Sequence, residues 1–403
     1  MTLLESNIIV QKYGGSSVST PKKISQIANK IVRRKKETQH IVVVVSAMGK
    51  TTNHLIQLAK EICSRPCDRE LDVLLSTGEQ QSIALLCIAL NELGCEAISL
   101  TGIQAGIKTK GNYTRSSILD IRDDIITNHL LDGKVVVIAG FQGVNQEGDI
   151  TTLGRGGSDT TAVALAAKLN CPCEIYTDVD GIYSIDPRLY SDAKKLSKIS
   201  YDIALEMARL GAKVIDKRAL SLGKKFQVPI YVGDSFKGAL GTNIGGSMME
   251  DLKVTSLVID DSQIEVKINN IPNKIDTLSK VFEIVGRYSL DISMAENNSF
   301  DATANISFTC PREHTQLFPS IKKEIVSTID QWIDIEINDT IRVSVVGTGR
   351  VNQAEITAQI LNEVKQSGLK YKKISTSELS LSYFFEGGEK GDLINKLAKV
   401  FDL

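Results

Sequence analysis

Net charge is almost missing from this chain: 47 Lys and Arg stand against 48 Asp and Glu, leaving −1 at pH 7. So even a balance gives no electrostatic case for nucleic acid or an anionic membrane as partner. The opening MTLLESNIIVQK has no basic flank, apolar run or cleavage site, so it does not read as a signal peptide. No stretch reads as apolar for long enough to span a bilayer. Cysteine is sparse, with seven in 403 residues, and forms no disulfide framework. Cys63 and Cys67, and Cys171 and Cys173, are close in sequence, but no second Cys or His pair completes a zinc site. Reduced, mostly buried thiols in a cytoplasmic protein are the expectation. The GxGxxG fingerprint and the P-loop spacing are also absent, which excludes the two commonest glycine-rich nucleotide motifs.

What is present is an ordinary globular composition, 42% apolar and 24% charged, in a chain long enough for two or three domains. Asn7–Gln11 and Ile41–Val45 are short, β-branched apolar runs of the kind buried on both faces of a parallel sheet. Between them Thr20 suits an N-cap and Pro21 a first helical position, and Ile24, Ile27, Ala28, Ile31 and Val32 recur on one face. The alternation continues with a helix over Glu79–Leu93, a strand at Val135–Ala139 and a helix over Asp159–Leu169. A strand at Glu174–Thr177, helices to about Leu222 and a strand at Val228–Val232 follow. This order predicts a mostly parallel sheet with helices on both faces. Gly238–Glu250 breaks the pattern and reads as a linker. Beyond it, two strand-helix-strand-strand units recur. Their strands are Ile264–Asn269, Ile292–Ala295 and Ala302–Phe308, then Arg342–Val346, Tyr371–Ser375 and Leu379–Phe384. Their helices are Thr277–Arg287 and Ala354–Ser367. This predicts a duplicated ferredoxin-like module.

Four clusters could carry chemistry. Lys12-Tyr13-Gly14-Gly15-Ser16-Ser17 ends the first strand, where glycines permit close approach to phosphate and Lys12 supplies a cation; a purely structural turn is the alternative. Ser46 to Thr52 ends the second strand, where small hydroxyls can bind a polar molecule or merely turn the chain. Thr151 to Thr161 sets Arg155 in a glycine loop before Ser158 and Asp159. An Arg can clamp a carboxylate and an Asp can hold an ammonium, a combination matching an amino acid; the alternative makes Ser158 or Asp159 only a helix N-cap. Tyr176 to Arg188 mixes acids, aromatics and Arg188 in a loop suited to adenine and phosphates, or to an ordinary surface turn.

Taken in order, Lys-Tyr-Gly-Gly-Ser-Ser-Val, Ser-Thr-Gly-Glu, Gly-Phe-Gln-Gly-Val, Thr-Leu-Gly-Arg-Gly-Gly-Ser-Asp-Thr-Thr and Thr-Asp-Val-Asp-Gly-Ile-Tyr-Ser-Ile-Asp-Pro-Arg resemble the aspartate kinases of the amino-acid-kinase superfamily. The resemblance covers nearly the whole chain, its tandem repeats resembling ACT domains. It implies an αβα kinase fold over 1–248 and ferredoxin-like (βαββαβ) regulatory domains over 255–336 and 337–403, with the strand at 255–261 pairing into the last. It implies transfer of the γ-phosphoryl of ATP, with Mg²⁺, to the β-carboxylate of L-aspartate, the first step toward lysine, threonine and methionine. By matching position, Lys12, Tyr13, Gly14, Gly15, Ser16, Thr177, Asp178, Tyr183, Arg188 and Lys213 resemble the nucleotide set. Ser46, Thr52, Glu79, Phe141, Arg155, Gly156, Gly157, Ser158 and Asp159 resemble the aspartate set, with Lys12 and Asp159 the catalytic candidates. Glu79, at an expected helix start, would otherwise only complement the helix dipole. No protein metal cage is expected. A homodimer or higher homo-oligomer through the repeats is implied, and an internal start at Met248 or Met249 would give a small subunit holding only the repeats.

The repeats depart from the resemblance. Asp276 stands where the effector-loop glycine is expected, Ala354-Glu355 replace a Pro-Gly pair, and Asn297-Asn298 replace a Gln-Asn pair, while Thr376-Ser377-Glu378 are kept. A side chain in place of that glycine would close an effector site, unless Asp276 adopts a left-handed conformation. Two other readings are a kinase of glutamate, acetylglutamate or UMP, and a non-catalytic amino-acid sensor. The Arg155–Asp159 cluster argues against the first, and intact Lys12 and Arg188 against the second.

Overall fold

The computed structural model describes residues 8–237, 240–246, 254–288, 290, 292–299, 302–329, 333–347, 353–386, 388 and 390–403. Met248 and Met249 lie outside them. Two compact units emerge: residues 1–184, 194–209 and 213–250, and residues 185–193, 210–212 and 251–403. The short segments 185–193 and 210–212 thus group with the C-terminal unit, although both precede residue 248.

The first unit begins with β1 (Ile8–Tyr13), α1 (Pro21–Lys35), β2 (His40–Val45), α2 (Thr51–Ile62) and α3 (Asp68–Glu92). Then come β3 (Ala97–Leu100), β4 (Ile107–Lys110), β5 (Ser117–Ile121), α4 (Asp124–Leu131), β6 (Val135–Ala139), β7 (Gln142–Val144) and β8 (Ile150–Thr152). The second half has α5 (Gly157–Lys168), β9 (Cys173–Thr177), β10 (Ile182–Tyr183), β11 (Lys195–Leu196) and β12 (Lys198–Ile199). It ends with α6 (Tyr201–Arg209), α7 (Lys217–Phe226), β13 (Ile230–Asp234) and β14 (Leu240–Ile244).

The main sheet runs β12-β14-β13-β9-β1-β2-β6-β3, parallel except where β13 meets β14. Every residue of β1 and β2 is buried, as expected of strands covered on both faces. Alternation decides which side chain meets which layer. Ile9 and Tyr13 of β1 and Ile41, Val43 and Val45 of β2 pack with Ile24, Ile27 and Ile31 of α1 and Ile83, Leu86 and Leu90 of α3. Lys12, one residue out of phase with Tyr13, faces the opposite layer, where α5 packs on β1 and β2. α1 starts as its sequence dictates: the Thr20 hydroxyl accepts the Lys23 N–H at 3.3 Å and Pro21 follows at once.

Three expectations need correction. The glycine-rich stretch from Gly238 is not only a linker, because Leu240–Ile244 forms β14, which pairs between β13 and β12, and the Thr242 hydroxyl donates to Leu196 O. Glu79 is not at a helix start. α3 begins at Asp68, which places Glu79 mid-helix and removes the dipole account. α3 is also long and apolar enough, by length and composition alone, to cross a membrane. Half of its apolar window is buried inside the unit, and with Asp72 and Glu79 on its buried face it reads as a core helix.

In the second unit one six-stranded antiparallel sheet joins both repeats. β15 (Val254–Pro272) and β18 (Asp334–Gly347) run through both halves, with register shifts between Asp260 and Gln263. The first half adds α8 (Ile275–Arg287), β16 (Ser293–Ser299), β17 (Thr303–Pro311) and α9 (Phe318–Ile329). The second adds α10 (Gln353–Ser367), β19 (Tyr371–Thr376), β20 (Ser380–Glu386) and α11 (Gly391–Val400). Val254–Asp260 pairs with Arg342–Gly347, so the leading end of β15 serves the second repeat while its trailing end serves the first. Each half keeps its own core: Val281, Ile284 and Phe308 in one, Ile360, Tyr383 and Leu397 in the other. The first half follows the βαββαβ order β15-α8-β16-β17-α9-β18, whereas in the second the leading end of β15 stands in for the last strand, giving the chain order β15-β18-α10-β19-β20-α11. Asp276 lies in the first turn of α8 and is not a positive-φ residue, so the left-handed conformation considered for it does not occur.

Candidate active site

The carboxyl ends of β9, β1, β2 and β6 are adjacent, and most of the sequence candidates gather there. Lys12 Nζ lies 2.7 Å from Asp159 Oδ1, with side-chain exposures of 11% and 12%. Burial of both members makes this a fixed pair rather than a solvated contact. Gly14 N–H donates to Tyr176 O, and its missing Cβ would stand 3.5 Å from Lys12 Nζ. At Gly15 a Cβ would come within 2.7 Å of Ala47 O, so only glycine lets the first turn lie against the loop after β2.

Glu79 enters from α3. Its Oε1 accepts the Ala47 N–H at 3.0 Å, and α3 comes this close because Gly78 presents no side chain to Ala47. Burial is the main cause pushing the Glu79 carboxyl up to about 7, against the Ala47 hydrogen bond, which lowers it. Its second oxygen is buried with no hydrogen-bond partner. A buried acid with a spare acceptor beside small hydroxyls suits a substrate ammonium. Ser46 at the end of β2 donates its N–H to Tyr13 O, and Thr52 lies in the first turn of α2.

The Arg155 loop joins β8 to α5. Gly156, with φ of 71°, is the N-cap of α5, so Ser158 and Asp159 lie within the first turn instead of capping it. Ser158 is packed against Gly140, where a Cβ would meet its hydroxyl at 2.7 Å. Arg155 itself is exposed, and its carbonyl accepts from Arg218. Phe141 has φ of 70°, unusual for a bulky residue. Its N–H donates to Thr161 Oγ1, its carbonyl accepts from Leu153 N, and Gly157 leaves room for the ring.

The nucleotide candidates divide. Thr177 ends β9 and its hydroxyl donates to the exposed Asp178. Tyr183 donates to Asp180 at 2.7 Å, while Lys213 is exposed. Tyr13 is fully buried and stacked on Tyr176 with centroids 5.0 Å apart, which leaves its ring in the core and only its backbone at the turn. Ser16 is exposed beside it, its carbonyl accepting from Lys23 Nζ. Arg188 lies in the 185–193 segment of the C-terminal unit, its guanidinium doubly bonded to Asp186. Asp216 went unread in the sequence, yet its carboxyl group is what Gly156 packs against, and its N–H reaches Asp159 Oδ2 at 3.3 Å.

A mostly parallel αβα sheet whose strand ends carry a lysine-glycine turn, a buried Lys12–Asp159 pair and the buried Glu79 carboxyl group defines a class. Residues 7–234 match the amino acid kinase family, to which the chain belongs. Within it the chain belongs to the aspartokinases. It is 40% identical to the aspartokinase of Bacillus sp. (strain MGA3), over 98% of this chain and 97% of that one. It is 39% identical to aspartokinase 2 of Bacillus subtilis (strain 168), over 98% of each. Among solved structures, aspartate kinase from Synechocystis shares 36% identity with a TM-score of 0.55, covering 98% of this chain and 69% of that one. E. coli aspartokinase III in complex with aspartate and ADP has a TM-score of 0.81 at 22% identity, over 98% of this chain and all of that one, a likeness of fold.

Proposed function

We infer that this chain is an ATP-dependent aspartate kinase forming 4-phospho-L-aspartate. The observation that carries the assignment of roles is the buried Lys12–Asp159 pair at the foot of a glycine turn, with Glu79 of α3 bonded to Ala47, the residue against which Gly15 of that turn packs.

The nucleophile belongs to the substrate. A β-carboxylate with a reference pKa of about 4 is already ionised at neutral pH, so no general base is required. The obstacle is an anion approaching a polyanion, and the work falls to cations and positioning. We assign Lys12 to the transferring phosphoryl group and Gly14 and Gly15 to close backbone approach. Asp159 orients Lys12. Arg155 clamps the α-carboxylate and Glu79 receives the α-ammonium, with Ser46, Thr52, Ser158 and Phe141 shaping the pocket. Thr177, Asp178, Tyr183, Arg188 and Lys213 are assigned to the nucleotide. Mg²⁺ would bind phosphate oxygens and water, supplying charge neutralisation.

We further propose a cytoplasmic location, a kinase domain over 1–248 and regulatory domains over 255–336 and 337–403. A homo-oligomer through those domains is part of the same reading. The test is an ATP-dependent hydroxamate assay over a panel of amino acids. L-Aspartate should be strongly preferred to L-glutamate, because one methylene displaces the attacking oxygen. Equal kcat/KM for the two would overturn the substrate assignment.

A further inference from the structure

Asp72 is fully buried on α3, seven residues before Glu79, which puts both carboxylates on the same side of one helix two turns apart. Its hydrogen bonds go to Thr152, on the chain that leads into Arg155, and to Thr114, in the β4–β5 connection that lies against it. Oδ2 accepts the backbone N–H groups of Thr152 and Thr114, each at 2.9 Å. Oδ1 accepts the Thr152 hydroxyl at 2.5 Å. Thr152 is the last residue of β8, three before Arg155. Thr114 has φ of 63°, a left-handed conformation that a β-branched residue holds only when its surroundings fix it. The Thr114 carbonyl lies where a Cβ on Gly154 would meet it at 2.9 Å, and Ser116 N–H closes the frame by donating to Thr152 O at 3.0 Å. One carboxylate therefore fixes both walls of the turn from which Arg155 projects.

We propose that Asp72 is a positioning residue for aspartate recognition: it holds the Thr152–Gly154 turn so that Arg155 meets the substrate α-carboxylate. The proposal rests on Arg155 being that clamp. A carboxylate is the fitting group because three donors converge on it and it has acceptors only. An amide at the same place must either set its NH2 against two N–H groups or set it against Thr152, where the hydroxyl would have to accept instead of donate, and in both cases the charged acceptor is lost. The site's acids Glu79 and Asp159 are held by separate contacts, to Ala47 N–H and to Lys12.

The experiment compares Asp72→Asn, Thr152→Val, Thr152→Ser and Arg155→Ala in the full chain, measuring both KM values, kcat and Tm. Asp72→Asn should raise the KM for aspartate roughly tenfold or more, with the KM for ATP within about twofold. Thr152→Val should do the same, and Thr152→Ser, which keeps the hydroxyl, should restore the aspartate KM. An unchanged aspartate KM in Asp72→Asn, or a parallel rise in both KM values, overturns the proposal. If Asp72→Asn does not fold, the Thr152 pair decides: identical behaviour of Val and Ser overturns it. Arg155→Ala separates the two levels. A raised aspartate KM there with none in the Asp72 and Thr152 variants removes only the positioning role. No rise in Arg155→Ala removes the clamp and the proposal with it.

Discussion

Lys12 Nζ and Asp159 Oδ1 stand 2.7 Å apart across the sheet-to-α5 interface, both largely withdrawn from water. The pair holds the cation at the mouth of the glycine turn, and the two residues should fail differently. Lys12→Ala should lower kcat by about 10²–10³-fold, the loss expected for an electrostatic group acting on the transition state. Asp159→Ala leaves a buried cation without its partner and should cost on the order of 3 kcal/mol of stability. The double variant Lys12→Met with Asp159→Leu should recover much of that stability while staying inactive. Thermal melts and steady-state rates on the three proteins check this, and an active double variant contradicts the role given to Lys12.

Glu79 predicts a pH dependence with two signs. Its carboxyl is pushed up to about 7 by burial, from an ordinary 4.5. Only the carboxylate can receive the substrate ammonium, so the KM for aspartate should fall roughly tenfold between about pH 6 and 8 as the ionised fraction rises. Stability moves the other way. With the folded value above the unfolded one, the native state binds the extra proton between about 4.5 and 7, so stability is full below that window and declines through it. Glu79→Gln should therefore match the parent in Tm near pH 5 and exceed it near pH 8. The gap should be on the order of 2–3 kcal/mol, and the variant's aspartate KM should be raised and flat with pH. A KM profile unaltered by the substitution would remove Glu79 from substrate binding.

Gly156 offers a test with an internal control. It has φ of 71°, and a Cβ there would lie 2.2 Å from the Asp216 carboxyl group. Gly148 has φ of 87° but nothing within 4 Å of its missing Cβ. Alanine at 148 should cost only backbone strain, about 1–2 kcal/mol. Alanine at 156 adds a clash beneath the Arg155 turn, so its Tm should fall further and its kcat/KM drop at least about tenfold. Equal losses at the two sites would show that the Gly156–Asp216 packing does not shape the pocket.

Local signals made some of this legible and hid the rest. The β-branched runs of β1 and β2, and Thr20-Pro21 before α1, declare themselves, because burial on both faces and capping are local chemistry. The glycine turn, the Ser-Thr-Gly-Glu segment and the Arg155 loop were visible as clusters. That Lys12 rather than Tyr13 reaches Asp159 follows from strand alternation once β1 is placed. The start of α3 is hard to read because Cys67 caps it without a side-chain hydrogen bond, which leaves only the weaker signal of Asp68 and Glu70 in the first turn. β14 was missed because its glycine interrupts the apolar pattern, its place being set by Thr242 bonding to another strand. Asp72 and Asp216 look like ordinary helix acids in sequence. Asp216 caps α7 locally by accepting the Arg218 N–H, but the contacts that bring the two to the site, Asp72 with Thr152 and the Asp216 N–H with Asp159, span dozens of residues and leave no local trace.

The final prediction concerns the C-terminal unit. Asp276 occupies the first turn of α8 in ordinary helical conformation, and Glu355 does the same in α10. Neither turn therefore offers the glycine backbone that would let N–H groups close on an effector's carboxylate, and each instead presents a carboxylate of its own. The unit keeps what it needs to fold, since Val281, Ile284 and Phe308 pack one core and Ile360, Tyr383 and Leu397 the other. A ligand shifts a conformational equilibrium only by its differential affinity for the two states, so a closed site means a lost shift. Lysine and threonine, alone or together at millimolar concentration, should then change activity by less than about twofold. Asp276→Gly should be the variant that gains sensitivity if the loop alone is at fault. Calorimetric titration beside the kinetic assay decides. Micromolar binding with strong inhibition in the parent chain would show that a side chain at position 276 does not close the site.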